Sequence, residues 1–334
     1  MEFAIQVGGG QVRHDQTGIE AIVEEAQLAE SLGFAVVFVP DHYVFELLGT
    51  LQTSTPAYEM FFVMATLAQR TRTIRIGSHV ACMLFRHPAM TARLFAQIDE
   101  ASGGRVIAGV GAGWTRAEFA MMGIDFPPVS ERLEMMDEAV AVMRGLWGEA
   151  PFTFAGRYYR VTDAIGRPRP VQQSGPPVML GGSGNGILRR AGAWADIIHM
   201  VPQIGAAGTT TLEEVQKFTD GALSSKLARV RGAAVKAGRP SGSVRFASTI
   251  FNYSMTASPR ATQELSERMA GLFGLTPDAF RTHPIGLIGT ADEMIAELKR
   301  REQQHGLSLL AINFSSPQQI REFGERVLPH VSSR

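Results

Sequence analysis

The amino-acid sequence predicts an α/β fold, a TIM-type (β/α)8 barrel with insertions, from three observations. Short β-rich runs alternate with helix-period runs along the 334 residues, which is typical of a parallel sheet. Charged residues make up only 19% of the chain, which suits strands that are buried on both faces. The glycines Gly8, Gly9 and Gly10 after the first strand do not form G-x-G-x-x-G, and no helix starts directly on them. This argues against an open dinucleotide-binding sheet.

Eight short runs, most of them apolar, are the predicted strands. In chain order they are Phe3–Val7, Ala35–Val39, Ile74–Val80, Val106–Gly111, Val178–Leu180, Ile197–Val201, Arg245–Met255 and Leu309–Phe314. An aromatic-rich run at Phe152–Val161, around Ala155 and Gly156, predicts an inserted β-hairpin.

Runs with helical periodicity separate these strands. The first begins at Thr17, where Glu20 three residues later completes a capping-box pattern, and Gly33 stands where a C-cap glycine belongs. The other predicted helices are Tyr58–Gln69, His87–Ser102, Ser130–Trp147, one that opens on Gly181–Gly186, Leu212–Ala237, Pro259–Leu272, Asp292–His305 and a last one after Phe314. No linker of low complexity divides the chain, so we expect a single domain over residues 1–334.

Composition excludes several classes of protein. Lys+Arg and Asp+Glu balance at 32 each, so neither nucleic acid nor an anionic membrane surface is expected as a partner. The lone cysteine, Cys82, excludes an intrachain disulfide and fits a reducing compartment. No apolar run reaches the roughly 18 residues of a membrane span, and the eight histidines are scattered without metal-ligand spacing. We therefore expect a cytoplasmic protein with no membrane segment and no bound metal.

The candidate site residues lie where predicted strands end, because a barrel of this kind carries its functional groups there. Asp41 and His42 follow the second strand, and a histidine there could exchange a proton near neutral pH. The alternative is that Asp41 caps a turn against which His42 packs. Ser78 and His79 are polar residues in a run that should be apolar, which indicates a site-facing strand end. Alternatively, the neighbouring backbone satisfies both side chains.

Two glycine-rich segments could accommodate a ligand. Alternate glycines at 109, 111 and 113, followed by Trp114, would let a flat ring lie on the backbone, although close strand packing or a bulge would need the same residues. After the fifth strand, Gly181, Gly182, Ser183 and Gly184 open a helix, and N–H groups at a helix N-terminus form an anion site. The residues by themselves therefore predict a barrel that binds a phosphate-bearing ligand.

These stretches, taken together, resemble the luciferase-like monooxygenase superfamily, and especially its coenzyme F420-dependent oxidoreductase branch. The resemblance spans roughly Met1 to Phe314, and its order and spacing make it specific. The matching stretches are Ala26–Phe34, Val39–His42, Ile76–Val80, Phe85–Pro88, Ser102–Arg105, Gly109–Trp114, Val178–Gly182 and Pro284–Thr290.

The resemblance implies a bacterial-luciferase-like barrel, usually dimeric, that binds the deazaflavin F420. It places His42 and Asp41 beside the reactive side of the cofactor ring, with His42 as the proton donor or acceptor. By position, a cis peptide bond between His79 and Val80 would back the ring. The cofactor-binding residues that it implies are Asp41, Ser78, His79, Val80, Gly111, Ala112 and Gly113 around the ring and Gly181, Gly182 and Ser183 at the phosphate.

One position departs from the pattern of this branch. In its sugar-phosphate dehydrogenases a glutamate that is thought to act in proton transfer follows the glycines of the fourth strand, and here that position is Trp114. An indole cannot exchange a proton in catalysis, so we expect a different substrate and a larger role for His42. We expect Glu118, four residues later, to hold the loop or the start of a helix in place.

Three other functions are compatible with the sequence. The first is an FMN-dependent monooxygenase that receives reduced flavin from a partner reductase, and the same hydrophobic mouth (Phe61, Phe62, Phe85 and Trp114) would serve it. The second is a non-catalytic flavin-binding barrel. The third is a phosphosugar isomerase or aldolase, but no lysine or carboxylate ends a strand where that chemistry needs one.

In each enzyme the partner is a small molecule. We expect the walls of its pocket to be formed by the loops Tyr43–Ala57, Gln203–Thr211 and Leu272–His283.

Overall fold

Eight parallel strands close into a barrel, which confirms the predicted fold. They are β1 (Glu2–Gln6), β2 (Val36–Val39), β3 (Arg75–Ser78), β4 (Val106–Gly111), β5 (Val178–Gly181), β6 (Ile197–Met200), β7 (Arg245–Ile250) and β8 (Leu307–Ile312). Each strand pairs in parallel with the next, and β8 pairs with β1. The computed structural model of the protein describes residues 1–8, 18–47, 50–52, 56–204, 208–209 and 211–332.

The strands are buried on both faces, which explains why they are continuous apolar runs in the sequence. On β2, Val36 and Phe38 belong to the cluster inside the barrel, whereas Val37 and Val39 belong to the core between the strands and the helices. The other members of the inner cluster are Ala4, Ile107, Met179, Ile197, Ala247, Leu309 and Ala311. The barrel interior is therefore a packed core, and a ligand is accommodated only beyond the strand ends.

Helices cover the outside of the barrel and connect its strands. They are α1 (Ile19–Leu32), α2 (Met60–Arg70), α3 (Pro88–Ser102), α4 (Arg116–Met122), α5 (Val129–Leu146), α6 (Asn185–Trp194), α7 (Leu212–Lys217), α8 (Asp220–Lys236), α9 (Pro259–Phe273), α10 (Pro277–Arg281), α11 (Ala291–His305), α12 (Pro317–Arg326) and α13 (Leu328–Val331). No helix in the described part of the chain has both the length and the apolar composition needed to cross a membrane.

Three helix predictions are corrected by the structure. The sequence predicts no helix at α4 and an irregular segment where α10 lies. The predicted helix Leu212–Ala237 is divided into α7 and α8, because the Thr219 side chain caps a new helix by accepting a hydrogen bond from Ala222 N. Short helices with local caps are hard to predict because their apolar periodicity covers less than two turns.

Two strand predictions are also corrected. The predicted strand Ile74–Val80 ends at Ser78. The peptide bond between His79 and Val80 is cis, and Ala81–Cys82 then resumes pairing with β4. The predicted strand Arg245–Met255 is divided, and only β7 belongs to the barrel. Its second part, Asn252–Met255, pairs outside the barrel with Gly286–Gly289. Periodicity alone does not show such a change of partner.

The inserted hairpin is confirmed, with strands Phe152–Ala155 and Arg160–Ala164. A second hairpin, Phe45–Leu47 with Thr50–Gln52, lies in the loop after β2 and was not predicted. Gly33 ends α1 in the left-handed conformation, as expected of a C-cap glycine. The predicted capping residue Thr17 and the glycines at 9 and 10 lie outside the described residues.

The glycines at the ends of β4 and β5 make room for a neighbouring side chain. A Cβ atom added at Gly111 would lie 2.6 Å from Val80 Cγ2, and one added at Gly181 would lie 2.9 Å from Val80 Cγ1. At Gly113 the added atom would lie 2.6 Å from the Phe119 ring. Close packing, the alternative considered for the glycines of β4, therefore explains why they lack side chains.

We expect Gly111→Ala to lower the free energy of unfolding by about 1–3 kcal/mol, because its methyl group would overlap Val80. Val80→Ala removes that overlap, so the cost of Gly111→Ala should shrink in the Val80→Ala background. Urea denaturation of the two single variants and the double variant measures this coupling. Gly232→Ala, on an open face of α8, is the matched control and should not destabilise the protein. Equal costs in both backgrounds would contradict this account of Gly111.

Candidate active site

A cavity of about 870 Å³ opens at the C-terminal ends of the barrel strands. Its lining brings together ten of the eleven residues predicted for the site: Asp41, His42, His79, Val80, Gly111, Ala112, Gly113, Gly181, Gly182 and Ser183. These residues come from the ends of β2, β3, β4 and β5. The barrel therefore gathers at one mouth groups that are up to 142 residues apart in sequence, as between Asp41 and Ser183.

Ser78 is the predicted site residue that lies outside this lining. Its side chain is fully buried between β3 and β4, where Oγ donates a hydrogen bond to Gly109 O at 2.7 Å. The alternative considered for this residue, a hydroxyl satisfied by neighbouring backbone, describes its position. Ser78 therefore joins two barrel strands at the level of the cavity.

His42 is held by Glu118, a residue of α4. The Nδ1 atom of His42 lies 3.1 Å from both carboxylate oxygens of Glu118. Glu118 Oε1 also accepts hydrogen bonds from the backbone N–H groups of Tyr43 at 2.6 Å and Val44 at 3.1 Å. Because Glu118 is only 2% exposed, its carboxylate is a buried anchor for the loop after β2.

This contact determines which nitrogen of His42 can react. A carboxylate only accepts hydrogen bonds, so the Nδ1 atom that faces Glu118 carries the proton. The other ring nitrogen, Nε2, is the one that a neutral His42 can offer as a proton acceptor. His42 is further oriented by the rings of Trp114 and Phe45, whose centroids lie 5.6 and 5.4 Å away.

Glu118 was assigned only a role in holding the loop or helix start, yet it is the residue in direct contact with His42. Thr115 followed by Glu118 is a T-x-x-E pattern, which indicates the start of a helix and would have predicted α4. In the structure Thr115 is the N-cap of α4, but it makes no side-chain cap hydrogen bond. Glu118 contacts the loop after β2 instead. The pattern thus locates the helix but not the partner of its glutamate.

Asp41 is engaged by a cation. Arg86 donates to both of its carboxylate oxygens, at 2.7 and 2.9 Å, and Cys82 N donates to Oδ2 at 2.9 Å. Arg86 also binds Glu59 and lies over the Phe61 ring. Asp41 therefore ties the loop after β2 to the loop after β3, and these contacts are not those of a residue that caps a turn of its own loop. Burial raises the pKa of the Cys82 thiol, so Cys82 remains a neutral part of this wall.

The floor of the cavity contains two uncharged histidines. His79 Nδ1 lies 3.0 Å from Gln6 Oε1, and His199 Nε2 lies 2.7 Å from Thr249 Oγ1. The two imidazole rings are 4.2 Å apart. Burial, and to a smaller extent the nearby His42, lowers the pKa of His79 to about 4. Burial also lowers the pKa of His199 well below its ordinary value.

The N-terminus of α6 forms one side of the cavity and has the features of an anion site. Gly182, which has φ +122°, and Gly184, the N-cap, place no side chain in this part of the lining, and Gly182 N donates to His199 O. The first N–H groups of a helix have no intrahelical partner and carry its positive dipole end. Ser183 Oγ is buried in this wall without a hydrogen-bond partner among the described residues. A phosphate fits these donors.

Two arginines add positive charge between α4 and α5. Arg132 lies over the Phe126 ring at 3.8 Å and Arg116 at 4.7 Å, and both line the cavity. No carboxylate in the described ranges forms an ion pair with either guanidinium. Arg132 is only 7% exposed, and burial lowers its pKa. Asp41 is neutralised by Arg86, so this side of the cavity favours an anionic group.

The pocket walls only partly match the predicted loops. Of the three loops, Gln203–Thr211 lines the cavity, through Gln203, Ile204 and Gly208, whereas no described residue of the other two does. The segment from Arg116 to Leu133, which includes α4, lines much of the cavity instead. In the predicted hydrophobic mouth, Phe85 and Trp114 line the cavity, but Phe61 is buried in the core and Phe62 is 57% exposed on α2.

No cluster of three or more His, Cys, Asp or Glu side chains that could hold a metal ion is found in the part of the chain that the structure describes. Among the described residues, His42 could exchange a proton, the N-terminus of α6 could bind an anion and the floor could form hydrogen bonds.

Comparison with known proteins identifies related chains. The sequence model of the family described as luciferase-like monooxygenase matches residues 1–322. An F420-dependent glucose-6-phosphate dehydrogenase from Microbacterium testaceum is 32% identical over 189 residues, which is 56% of this chain and 54% of that protein. An FMNH2-dependent dimethylsulfone monooxygenase from Pseudomonas putida is 26% identical over 261 residues, which is 73% of this chain and 70% of that protein.

The fold is also found in a solved structure, an F420-dependent secondary alcohol dehydrogenase in complex with an F420-acetone adduct. It superposes with a TM-score of 0.77 and 23% identity, covering 99% of both chains. The chain spans only about half the length of the glucose-6-phosphate dehydrogenase that it matches.

The buried histidines predict how stability depends on pH. His283, like His79, has its pKa lowered to about 4 by burial, so these side chains bind protons in the unfolded chain before they do so in the folded one. Stability must then fall as pH falls from about 6.5 to about 5, by about 1–2 kcal/mol per histidine. Urea denaturation across this range measures the slope. His283→Gln, whose amide still reaches Val215 O, should reduce it, and an unchanged slope would contradict this origin.

Proposed function

Because the chain belongs to the luciferase-like monooxygenase family, we propose that it is an F420-dependent oxidoreductase that transfers hydride between coenzyme F420 and a small organic substrate. The observation that carries the proposal is the His42–Glu118 contact inside a cavity that also has a helix N-terminus suited to phosphate. The F420-dependent relatives support the choice of cofactor.

The residues of the cavity fit a long cofactor with a flat ring and a phosphate. Ser183 Oγ and His199 Nδ1 are buried polar atoms of residues that line the cavity, and both lack hydrogen-bond partners among the described residues. Gly182 leaves the space of a side chain open beside the N-terminus of α6. We assign the phosphate to Gly181, Gly182 and Ser183, and the ring to His79, Val80 and the backbone of Gly111–Gly113.

When bound, F420 supplies two-electron hydride transfer, and the protein must supply orientation and a proton route. Reduction of a carbonyl needs a proton at its oxygen, and oxidation of an alcohol needs that proton removed. We assign this proton transfer to His42 Nε2, because Glu118 holds Nδ1. Glu118 and Asp41 are then positioning residues, the first for the imidazole and the second for the loop that carries it.

We expect the substrate pocket to differ from that of a sugar-phosphate enzyme. Trp114 stands at the position of the expected glutamate and packs against His42. Phe85 and Trp114 make the wall beside His42 aromatic, whereas Phe126 is covered by Arg132 and Arg116. These contacts favour a small, largely apolar alcohol or carbonyl compound as the substrate. The non-catalytic alternative is disfavoured, because a barrel that only stores a cofactor has no use for an oriented histidine.

A second candidate is an FMN-dependent monooxygenase served by a separate reductase. The observation that favours it is the dimethylsulfone monooxygenase, whose alignment covers more of both chains than that of the glucose-6-phosphate dehydrogenase. The two functions share the phosphate site and differ in the cofactor.

Further features of the proposal concern the whole protein. We propose one domain, because no low-complexity linker divides the chain, and a cytoplasmic location, because a lone cysteine fits a reducing compartment. We propose a homodimer on the basis of the family resemblance. The exposed apolar side chains Phe62 on α2 and Met90 on the neighbouring α3 support a dimer, since both are more than half exposed in the monomer.

The cofactor assignment is tested by titrating the apoprotein with F420 and with FMN and following fluorescence. We expect F420 to bind more tightly than FMN. Gly182→Asp should weaken binding of F420 through bulk and charge, and Gly182→Asn, of the same size, should weaken it less. Tighter binding of FMN would favour the second candidate, and binding of neither would contradict both. Equal affinities of the two Gly182 variants would place the phosphate elsewhere.

The acid–base assignment is tested by His42→Ala and Glu118→Gln. We expect His42→Ala to lower turnover of a panel of secondary alcohols and ketones by about 10²–10⁴-fold while the dissociation constant for F420 stays close to wild type. Glu118→Gln keeps the shape but presents an NH2 group to Nδ1, which favours the opposite tautomer of His42.

Nitrogen-15 NMR of histidine-labelled protein reports the tautomer of His42 directly. The control is Glu59→Gln, which changes a surface carboxylate near Arg86. Turnover by Glu118→Gln should fall at least about tenfold together with the change of tautomer. Wild-type turnover in His42→Ala would remove His42 from the mechanism, and an unchanged tautomer in Glu118→Gln would remove Glu118.

A further inference from the structure

His199 leaves one hydrogen-bonding atom of the cavity floor without a partner. The residue ends β6, is 1% exposed and lines the cavity. Its Nε2 atom is bound to Thr249 Oγ1 at 2.7 Å, whereas Nδ1 is buried and has no hydrogen-bond partner among the described residues. A buried nitrogen left unpaired is costly, so such an atom beside a cavity is expected to serve a ligand.

We propose that His199 Nδ1 binds the uncharged hydrogen-bonding edge of the ring cofactor, so that the floor of the cavity is the subsite for the pyrimidinedione end of that ring. The inference rests on the proposed function and adds a residue that neither the sequence analysis nor the family resemblance singled out.

The neighbours of His199 favour an uncharged group at this place. His79 donates from Nδ1 to Gln6 Oε1, because an amide oxygen only accepts, and its Nε2 is then a further acceptor. The ring of Phe38 stacks on His79 with centroids 4.9 Å apart. Neither histidine is charged near neutral pH, so an anion would have no cation to pair with here. An imide edge of alternating C=O and N–H groups matches neutral ring nitrogens.

The position of His199 also agrees with the phosphate site. Gly182 N donates to His199 O at 2.9 Å, so the floor and the N-terminal side of α6 are joined by a backbone hydrogen bond. The cationic side of the cavity, with Arg132, is formed by other elements. A ligand with an uncharged ring edge and a phosphate can therefore place the edge at the floor and the phosphate at α6.

F420 and FMN carry the same pyrimidinedione edge, so His199 should contribute affinity for both without selecting between them. Residues that bind the parts in which F420 and FMN differ would instead change the affinity for one cofactor more than for the other. The variant pair His199→Asn and His199→Gln tests the role, because the amide of Asn falls near the position of Nδ1 and that of Gln near the position of Nε2.

The experiment is a titration of wild type, His199→Asn and His199→Gln with F420 and with FMN, followed by fluorescence. We expect His199→Asn to bind both cofactors within about threefold of wild type and His199→Gln to bind both about 5- to 10-fold more weakly. Thr249→Val, which removes only the Nε2 partner, is the matched control and should retain its affinity.

A purely structural role gives a different result. If His199 acts only through Thr249, His199→Gln would retain affinity and His199→Asn would lose it, and this order would overturn the inference, as would equal affinities of both variants and wild type. Failure of wild type to bind either cofactor would instead overturn the proposed function.

A measurement on wild type keeps the inference testable even where a variant does not fold. In histidine-labelled protein, addition of F420 should shift the nitrogen-15 resonance of His199 Nδ1. A resonance that stays unchanged while F420 binds would overturn the assignment.

Discussion

Closure of the parallel barrel is the constraint on which the rest of the structure depends. Each of the eight strands pairs with two neighbours in the same direction, so all their C-terminal ends surround one mouth. The interior below that mouth is filled by side chains such as Phe38 and Ile107. A ligand must therefore lie beyond the strand ends, where the loops add polar groups to an otherwise apolar frame. Barrel closure therefore brings together, at this mouth, residues that are far apart in sequence.

The cavity divides its tasks among its walls. In the proposed function, one wall would exchange protons, through His42 held by Glu118. Another would bind negative charge, through the N-terminus of α6 and the arginines around Phe126. The floor is uncharged, because burial keeps its two histidines neutral. Such a separation would orient an elongated ligand, since each part of the ligand would be stabilised in one place only. It also keeps the buried negative charge of Glu118 next to a group that can carry a compensating proton.

Trp114 stands at the end of β4 where the family resemblance leads us to expect a glutamate, and its indole packs edge-on against His42. The carboxylate that contacts His42 comes from the first turn of α4, four residues later. Its two backbone donors, Tyr43 and Val44, belong to the same loop as His42, so one buried carboxylate both orients the imidazole and shapes the loop.

The sequence by itself determined the order of the barrel strands and of the long helices, and most of the strand-end residues that line the cavity, because alternating apolar runs and glycine-rich strand ends are local patterns. It did not show the short helices α4 and α10. It did not determine the partners of the strand-end residues. His42 and Glu118 are 76 positions apart, and Val80, from the segment that follows β3, fills the space above Gly111 and Gly181. The split of the seventh strand and the neutral state of His199 likewise depend on what packs against them. Such contacts arise only when closure brings distant segments together, because burial and hydrogen-bond partners belong to the assembled barrel and not to any stretch of chain.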